Sequence, residues 1–239
     1  MRGDRVVIIT DATDGGARHL AQDLNDRAVL VTPRDLSRPG WTYRPDPGER
    51  RAMTTDGELG VGDIAVVVTR LGAVFETQLL HVTPIDRSYV AAEMTAFLRA
   101  WLDGLPIPVV DPPTTSSLSG TLWSSEQWSQ QCASIGLSFA PLRRSIPAAT
   151  SSSSEAVDGR RVHVAGRHVH RVGSVSDAEI DAARALADAT RVHHIALTLS
   201  ADRFVVTAVS TRADLDDPAI RGFYLRSLDD LSIGAGAFP

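Results

Sequence analysis

Lysine is missing altogether: all 24 basic side chains among the 239 residues are arginine. A compact ammonium on a flexible stem is what Walker-type phosphate loops, Schiff-base enzymes and kinase-like clefts use, and burial shifts its pKa readily where guanidinium stays charged. Those chemistries are excluded here. Cysteine is almost missing too, since Cys132 stands alone and no intrachain disulfide can form. No apolar run approaches the roughly 20 residues that a membrane-spanning helix needs, and the charged start from Met1 to Arg5 is not followed by the apolar stretch of a signal peptide. Positive charge is not in excess either. With 29 acidic against 24 basic side chains, the chain lacks the basic field that phosphate-backbone binding relies on. These absences predict a soluble, cytoplasmic protein with neither nucleic acid nor membrane as a partner.

What is present has a clear order. Val6 to Thr10 (VVIIT) is a continuous β-branched run; Gly15 to Asn25 follows as a helix candidate with Leu20 and Leu24 on one face; Ala28 to Thr32 (AVLVT) closes a strand–helix–strand unit. Ile64 to Thr69 (IAVVVT) is a third strand, and its lack of polar alternation fits a parallel sheet covered on both faces. Asp86 is placed to cap a helix from Arg87 to about Asp103, stopped by Gly104, before the strand Pro108 to Val110. This order predicts an open, doubly wound α/β domain over residues 1–145.

Ser124 and Gln127 stand in a capping-box arrangement before a helix running to about Ser134. A serine-rich junction is expected over 146–158, and a smaller α+β domain over 159–239. In the latter, Arg161 to Val172 reads as a hairpin. Ser176 and Glu179 form a second capping box before a helix ending near Thr190, and Ile195 to Leu199 and Phe204 to Val209 are strands.

RVVIITDATDGGARHLAQDL at the start, VTRLGAVFE at 68–76, DRSYVAAEMTAFLRAWLDGLPIPVVDPP at 86–113 and WSQQCASIGLSFAP at 128–141 together resemble the N-terminal portion of ATP-grasp ligases. GRRVHVAGRHVHRVG at 159–173 and AARALADATRVHHIALTLSADRFVVTAV at 182–209 are similar to the C-terminal part of the same fold. The likeness is nearest to peptide-modifying ligases. It implies a pre-ATP-grasp-like N-terminal domain and a truncated ATP-grasp-like C-terminal domain, with the lysine-bearing lid deleted at the junction. Where the family carries its magnesium-binding glutamate and asparagine, the resemblance puts Ala208 and Ser210; where it carries an earlier aspartate, HHIALTL has no acid. Phosphoryl transfer depends on positioning and charge neutralisation, so losing clamp, lid and metal together implies a derivative that uses neither ATP nor magnesium, with no cofactor.

Five of the seven histidines fall between 163 and 194. With Ala165 and Gly166 as a two-residue turn, His163 pairs with His168 and Arg161 with His170. Arg161, His163, His168 and His170 then share one face, with Val162, Val164 and Val169 on the other. Such a face reads as solvated, as an anion site through Arg161, or as a metal site through imidazoles; no acid or cysteine completes a metal set, so none is expected. The Asp11 to Gly16 loop (DATDGG) follows the first strand, where α/β sheets bind ligands, although a plain turn into a helix accounts for it as well. Arg70 either faces a ligand or pairs with Glu93. Ser119 lies in a hydroxyl-rich loop without a nucleophile elbow, and Cys132, Trp128 and the stripe Leu98, Trp101, Leu102 read as core.

The expected function is a binding or accessory protein in specialised peptide natural product metabolism, holding a peptide or small carboxylate through Arg161, Arg70 and Asp11 and presenting it to a partner enzyme. The alternative is an ATP-independent enzyme using His163, His168 or His170 as acid or base. Apolar positions on the helix 87–103 are compatible with a homodimer.

Overall fold

A computed structural model describes residues 3–140, 160–201 and 203–234. The expected junction lies outside the described residues. Contacts divide the chain differently from the sequence expectation, into one unit of Met1–Leu122 with Asp214–Pro239 and another of Trp123–Ala213.

The first unit is built on a parallel sheet of β1 (Arg5–Ile9), β2 (Ala28–Val31), β5 (Ile64–Thr69) and β6 (Val109–Val110), in the order β2-β1-β5-β6. All six residues of β5 are buried, as expected for a strand covered on both faces. Val7, Ile9 and Val67 enter one core with Leu98, Trp101 and Leu102 of α3 (Arg87–Leu102). Burying a Leu-sized side chain of this kind is worth about 1.5–3 kcal/mol. Helices α1 (Gly15–Leu24) and α6 (Pro218–Gly234) pack against β2 and β5. Asp86 stands at the start of α3, but its side chain makes no capping bond, because a short 3-10 turn (Pro84–Asp86) already leads into the helix. Gly104, at φ 64, ends the helix in the left-handed conformation that the turn requires. A short helix α2 (Pro33–Leu36) and the hairpin of β3 (Arg51–Thr54) with β4 (Gly57–Gly60) complete the unit.

The second unit pairs α4 (Ser125–Ser134) and α5 (Asp177–Thr190) with an antiparallel sheet. Its strands β7 (Arg160–Ala165), β8 (His168–Val172), β9 (His194–Leu199) and β10 (Val206–Ser210) run in the order β10-β9-β7-β8. Both capping boxes form, Ser124 with Gln127 and Ser176 with Glu179. Val162, Val164, Ile195, Leu197 and Leu199 face α5 and bury against Ile180, Ala183 and Leu186, with Trp128 and Cys132 of α4 in the same core. Burial pushes the Cys132 thiol pKa up, which makes it a small apolar filler.

The β7–β8 register differs from the sequence expectation. His163 pairs with His170, Val164 with Val169 and Ala165 with His168, so the turn is Gly166–Arg167. The reason is steric: the first turn position has φ 53, which glycine adopts freely and Ala165 would not. Face membership is unchanged by this shift, because both registers keep Arg161, His163, His168 and His170 together.

Candidate functional site

Two polar constellations stand out, one in each unit. In the first unit the chain leaves β1 toward β2 on one side and returns to β5 on the other. The carboxyl ends of β1 and β5 therefore flank a topological switch point, where ligands bind in open α/β sheets. The loops there carry Asp11, Asp14 and Arg70. Arg70 does not pair with Glu93, which is exposed on α3. Its Nε donates to Asp14 Oδ2 at 2.9 Å and its Nη2 to Asp14 Oδ1 at 3.3 Å, a two-pronged pair buried on both sides. Asp14 also caps α1, accepting from the Ala17 amide at 3.0 Å, and accepts from the Thr10 hydroxyl at 3.1 Å. Sequence reasoning missed this pair. An N-cap aspartate three residues before Ala17 is legible, but that it reaches the residue after β5 follows only from the sheet order.

Asp11 accepts from the Thr13 amide at 2.7 Å and from the Thr13 hydroxyl, and Gln78 Nε2 donates to its other oxygen. The hydroxyl and amide of Thr13 lower the carboxyl pKa, outweighing its partial burial and the neighbouring Asp14. Asp11 is thus a fixed carboxylate at the strand end. Thr69 donates to the carbonyls of Val110 at 3.0 Å and Asp111 at 2.9 Å, tying β5 to β6. The Tyr224 phenol of α6 is held protonated, its pKa raised by burial and by the charge of Asp111 against an opposing effect of Arg70. Ser117 and Ser119 bond to each other and to their own loop, an arrangement that holds a turn.

The second constellation is the histidine face of the antiparallel sheet. It is not the solvated surface that the hairpin suggested. His163 is 4% exposed and His194 of β9 not at all, while His168 and His170 are half-buried. His194 Nδ1 lies 3.1 Å from the Thr211 carbonyl, which can only accept, so this nitrogen carries the proton. In the neutral ring Nε2 then accepts, and His163 Nδ1 stands 3.5 Å away as its long, weak donor. The His170 ring packs 5.7 Å from His163, inclined by 60°. Strand pairing sets Arg161 opposite Thr198, His163 opposite Ala196, and these in turn opposite Ala208 and Ser210 of β10. Arg161 is half-buried there, with no side-chain hydrogen bond or ion pair among the described residues. Its neighbour Arg160, on the other face, is fully engaged with Glu179 and the carbonyls of Ser200 and Arg203.

At the tip of the same hairpin a cavity of about 360 Å³ is lined by Val164, Arg167, Arg184, Asp188, Val192 and His193. Burial, with a further push from the charge of His168, lowers the His193 pKa to about 4. Among the described residues no group of three or more His, Cys, Asp or Glu side chains is placed to hold a metal ion. No described helix is long and apolar enough to cross a membrane.

The chain has the ATP-grasp-like fold. The solved structures it resembles include the ATP-grasp ligase PsnB complexed with precursor peptide PsnA2 and AMPPNP. That match has 13% identity and a TM-score of 0.60, and covers 97% of this chain and 98% of that one. A RiPP-associated ATP-grasp ligase from Chryseobacterium gregarium, in complex with ADP and a leader and core peptide, matches at 11% identity and a TM-score of 0.62, covering 99% and 98%. D-Alanine-D-alanine ligase from Helicobacter pylori matches at 7% identity and 0.54, covering 98% and 99%. No protein-family profile matches the sequence, and no curated protein sequence matches it significantly.

Proposed function

We propose that the protein binds a peptide natural-product precursor, or the carboxylate it presents, on an ATP-grasp scaffold that no longer handles magnesium and ATP. In this reading it serves as an accessory protein to a partner enzyme. The likeness to ligases solved with precursor peptides fits a role with such precursors. The carrying observation is the donor set of the histidine face. Magnesium bound with a triphosphate asks for oxygen ligands, usually one or two carboxylates. Around Ala208 and Ser210 the same face offers Arg161, His163, His194, Ala196 and Thr198, with no carboxylate among them. This set does not fit magnesium. It does fit an anion, because Arg161 brings a fixed positive charge with no acid partner among the described residues, beside the imidazoles of His163 and His194. Within the first unit, taken by itself, Asp11 with Gln78 offers a contact for donor groups of a peptide, and Arg70, neutralised by Asp14, positions the loop that carries it.

Thermal shift separates the alternatives, since a ligand of the native state raises its melting temperature. Short precursor-like peptides with a free carboxylate should raise it, and Arg161→Ala should abolish the rise. A rise with ATP and magnesium would overturn the proposal. A second reading, acid–base catalysis by His163, His168 or His170, is favoured by the tautomer chain from Thr211, which makes Nε2 the basic nitrogen of His163. Conversion of a bound peptide that His163→Gln stops without weakening binding would establish it.

A further inference from the structure

Four large apolar side chains stand exposed within fifteen residues of the first unit: Phe75, Leu80, Ile85 and Tyr89, with 58%, 72%, 87% and 69% of their surface in solvent. Elsewhere in the described residues the exposed large apolar side chains are scattered singly, which is ordinary. Here they are gathered on one ordered segment. Ile85 and Tyr89 are four residues apart across the start of α3, and so share a helical face. Arg87 Nε donates to the Val82 carbonyl at 2.9 Å and its Nη2 to that of Leu80 at 3.1 Å, which clasps the preceding loop against the helix start. Thr95 accepts the Val74 amide at 3.0 Å, and Gln78 Oε1 the Phe75 amide at 2.9 Å. The apolar side chains are therefore displayed on a braced backbone. Through Gln78 the strip runs directly into the Asp11 loop at the switch point.

The charge around this strip is one-sided. Glu76, Asp86 and Glu93 are exposed and make no ion pair among the described residues, and the one cation in the segment, Arg87, is spent on backbone carbonyls. An isologous contact with a second copy would bring both sets of these three acids into one interface, and like charges brought together there oppose association. A peptide segment does not meet that objection.

We infer that Phe75, Leu80, Ile85 and Tyr89 form a docking strip for a peptide segment carrying apolar side chains interspersed with basic ones. The apolar anchors lie on the strip, and the arginines or lysines meet Glu76, Asp86 and Glu93. This deepens the proposed function and rests on it: the strip holds a basic-apolar stretch of a precursor peptide of the kind proposed there. Long-range attraction from the three acids speeds encounter and is screened by salt, while the apolar contacts set the lifetime of the complex.

The test is fluorescence anisotropy of the full chain with labelled twelve-residue peptides. One alternates leucine or phenylalanine with arginine, one has glutamate in place of arginine, and one has serine in place of the apolar residues. The first should bind at least about tenfold more tightly than either other, as expected where a few apolar anchors and matched charge dominate. The triple substitution L80S, I85S and Y89S should weaken it by about tenfold or more, while E76Q, D86N and E93Q together should leave the apolar term and erase its salt dependence. These positions are exposed, so unchanged circular dichroism is expected for both variants. Equal affinity for all three peptides, or tight binding of the first that L80S, I85S and Y89S leave untouched, would overturn the strip while sparing the proposed function. Failure of every peptide, including carboxylate-bearing ones read through Arg161, would sink both. Concentration-dependent dimerisation that the serine substitutions abolish, with no peptide binding, would assign the strip to a second copy instead.

Discussion

Arg70 and Arg161 are the same side chain in opposite circumstances. At the carboxyl end of the parallel sheet, Arg70 is buried and held from two sides by Asp14, which is itself held by a helix amide and a hydroxyl. On the histidine face of the antiparallel sheet, Arg161 stands opposite Thr198 with no acid partner among the described residues. The first charge is spent on an acid and the second has no acid partner among the described residues. In a chain whose basic side chains are all arginine, the placement of the carboxylates sets the two apart.

The largest effect should come from breaking the architectural pair. Asp14→Ala takes the two-pronged carboxylate away from the largely buried Arg70 guanidinium and removes a helix cap, and should cost about 3–5 kcal/mol in urea unfolding. Asp14→Ala with Arg70→Met should recover most of that loss. A cost below about 1 kcal/mol for the single change would mean that water or another acid takes over, as at an exposed pair.

The histidine side should answer to pH instead. The folded pKa of His193, at about 4, lies below its unfolded value near 6.5, so the unfolded chain binds more protons between them. Stability from this residue is then full above about pH 6.5, falls as pH drops toward 4, and levels off below that. Melting temperatures measured from pH 7.5 to 4.5 should fall, and His193→Gln should flatten the slope. A slope unchanged by that substitution would place the titration on another group.

Smaller still is the Ser176 cap of α5. Glu179 is pulled below the usual carboxylate range: burial alone raises its pKa, but bonds from Ser176 and Arg160 more than offset that. Its contribution is present at neutral pH and is lost as pH falls through the lowered value. Ser176→Ala should cost about 1 kcal/mol at pH 7. Smallest of all, Arg161→Ala should change stability by no more than about 0.5 kcal/mol, as for a side chain without partners among the described residues. Its whole effect should appear in ligand binding, and a stability loss comparable to that of Asp14→Ala would erase the contrast between the two arginines.

The strands of the parallel sheet and the two capping boxes were legible because their signals are local: β-branched runs in Val6 to Thr10 and Ile64 to Thr69, and Ser-x-x-Gln or Ser-x-x-Glu before a helix. Helix α6 was not, since Pro218–Gly234 packs against β5, more than a hundred residues earlier in the chain. The hairpin face was read correctly and its pairing was not, because alternation fixes faces while the glycine position fixes register. Burial of His163 and His194 was hidden for a related reason: a histidine in a strand reads as polar until the sheet order shows that its strand, β7 or β9, lies in the middle of the sheet. The Arg70–Asp14 pair spans fifty-six residues and joins two loops brought together only by β1 lying beside β5.

The central claim is that this scaffold binds a peptide and not magnesium–ATP. Isothermal titration calorimetry of the full chain against ATP in excess magnesium, beside the same titration with the basic-apolar peptide, tests it most directly. The expected result is heat of binding from the peptide and none from the nucleotide; a nucleotide dissociation constant tighter than about 1 mM, near −4 kcal/mol, would contradict the account.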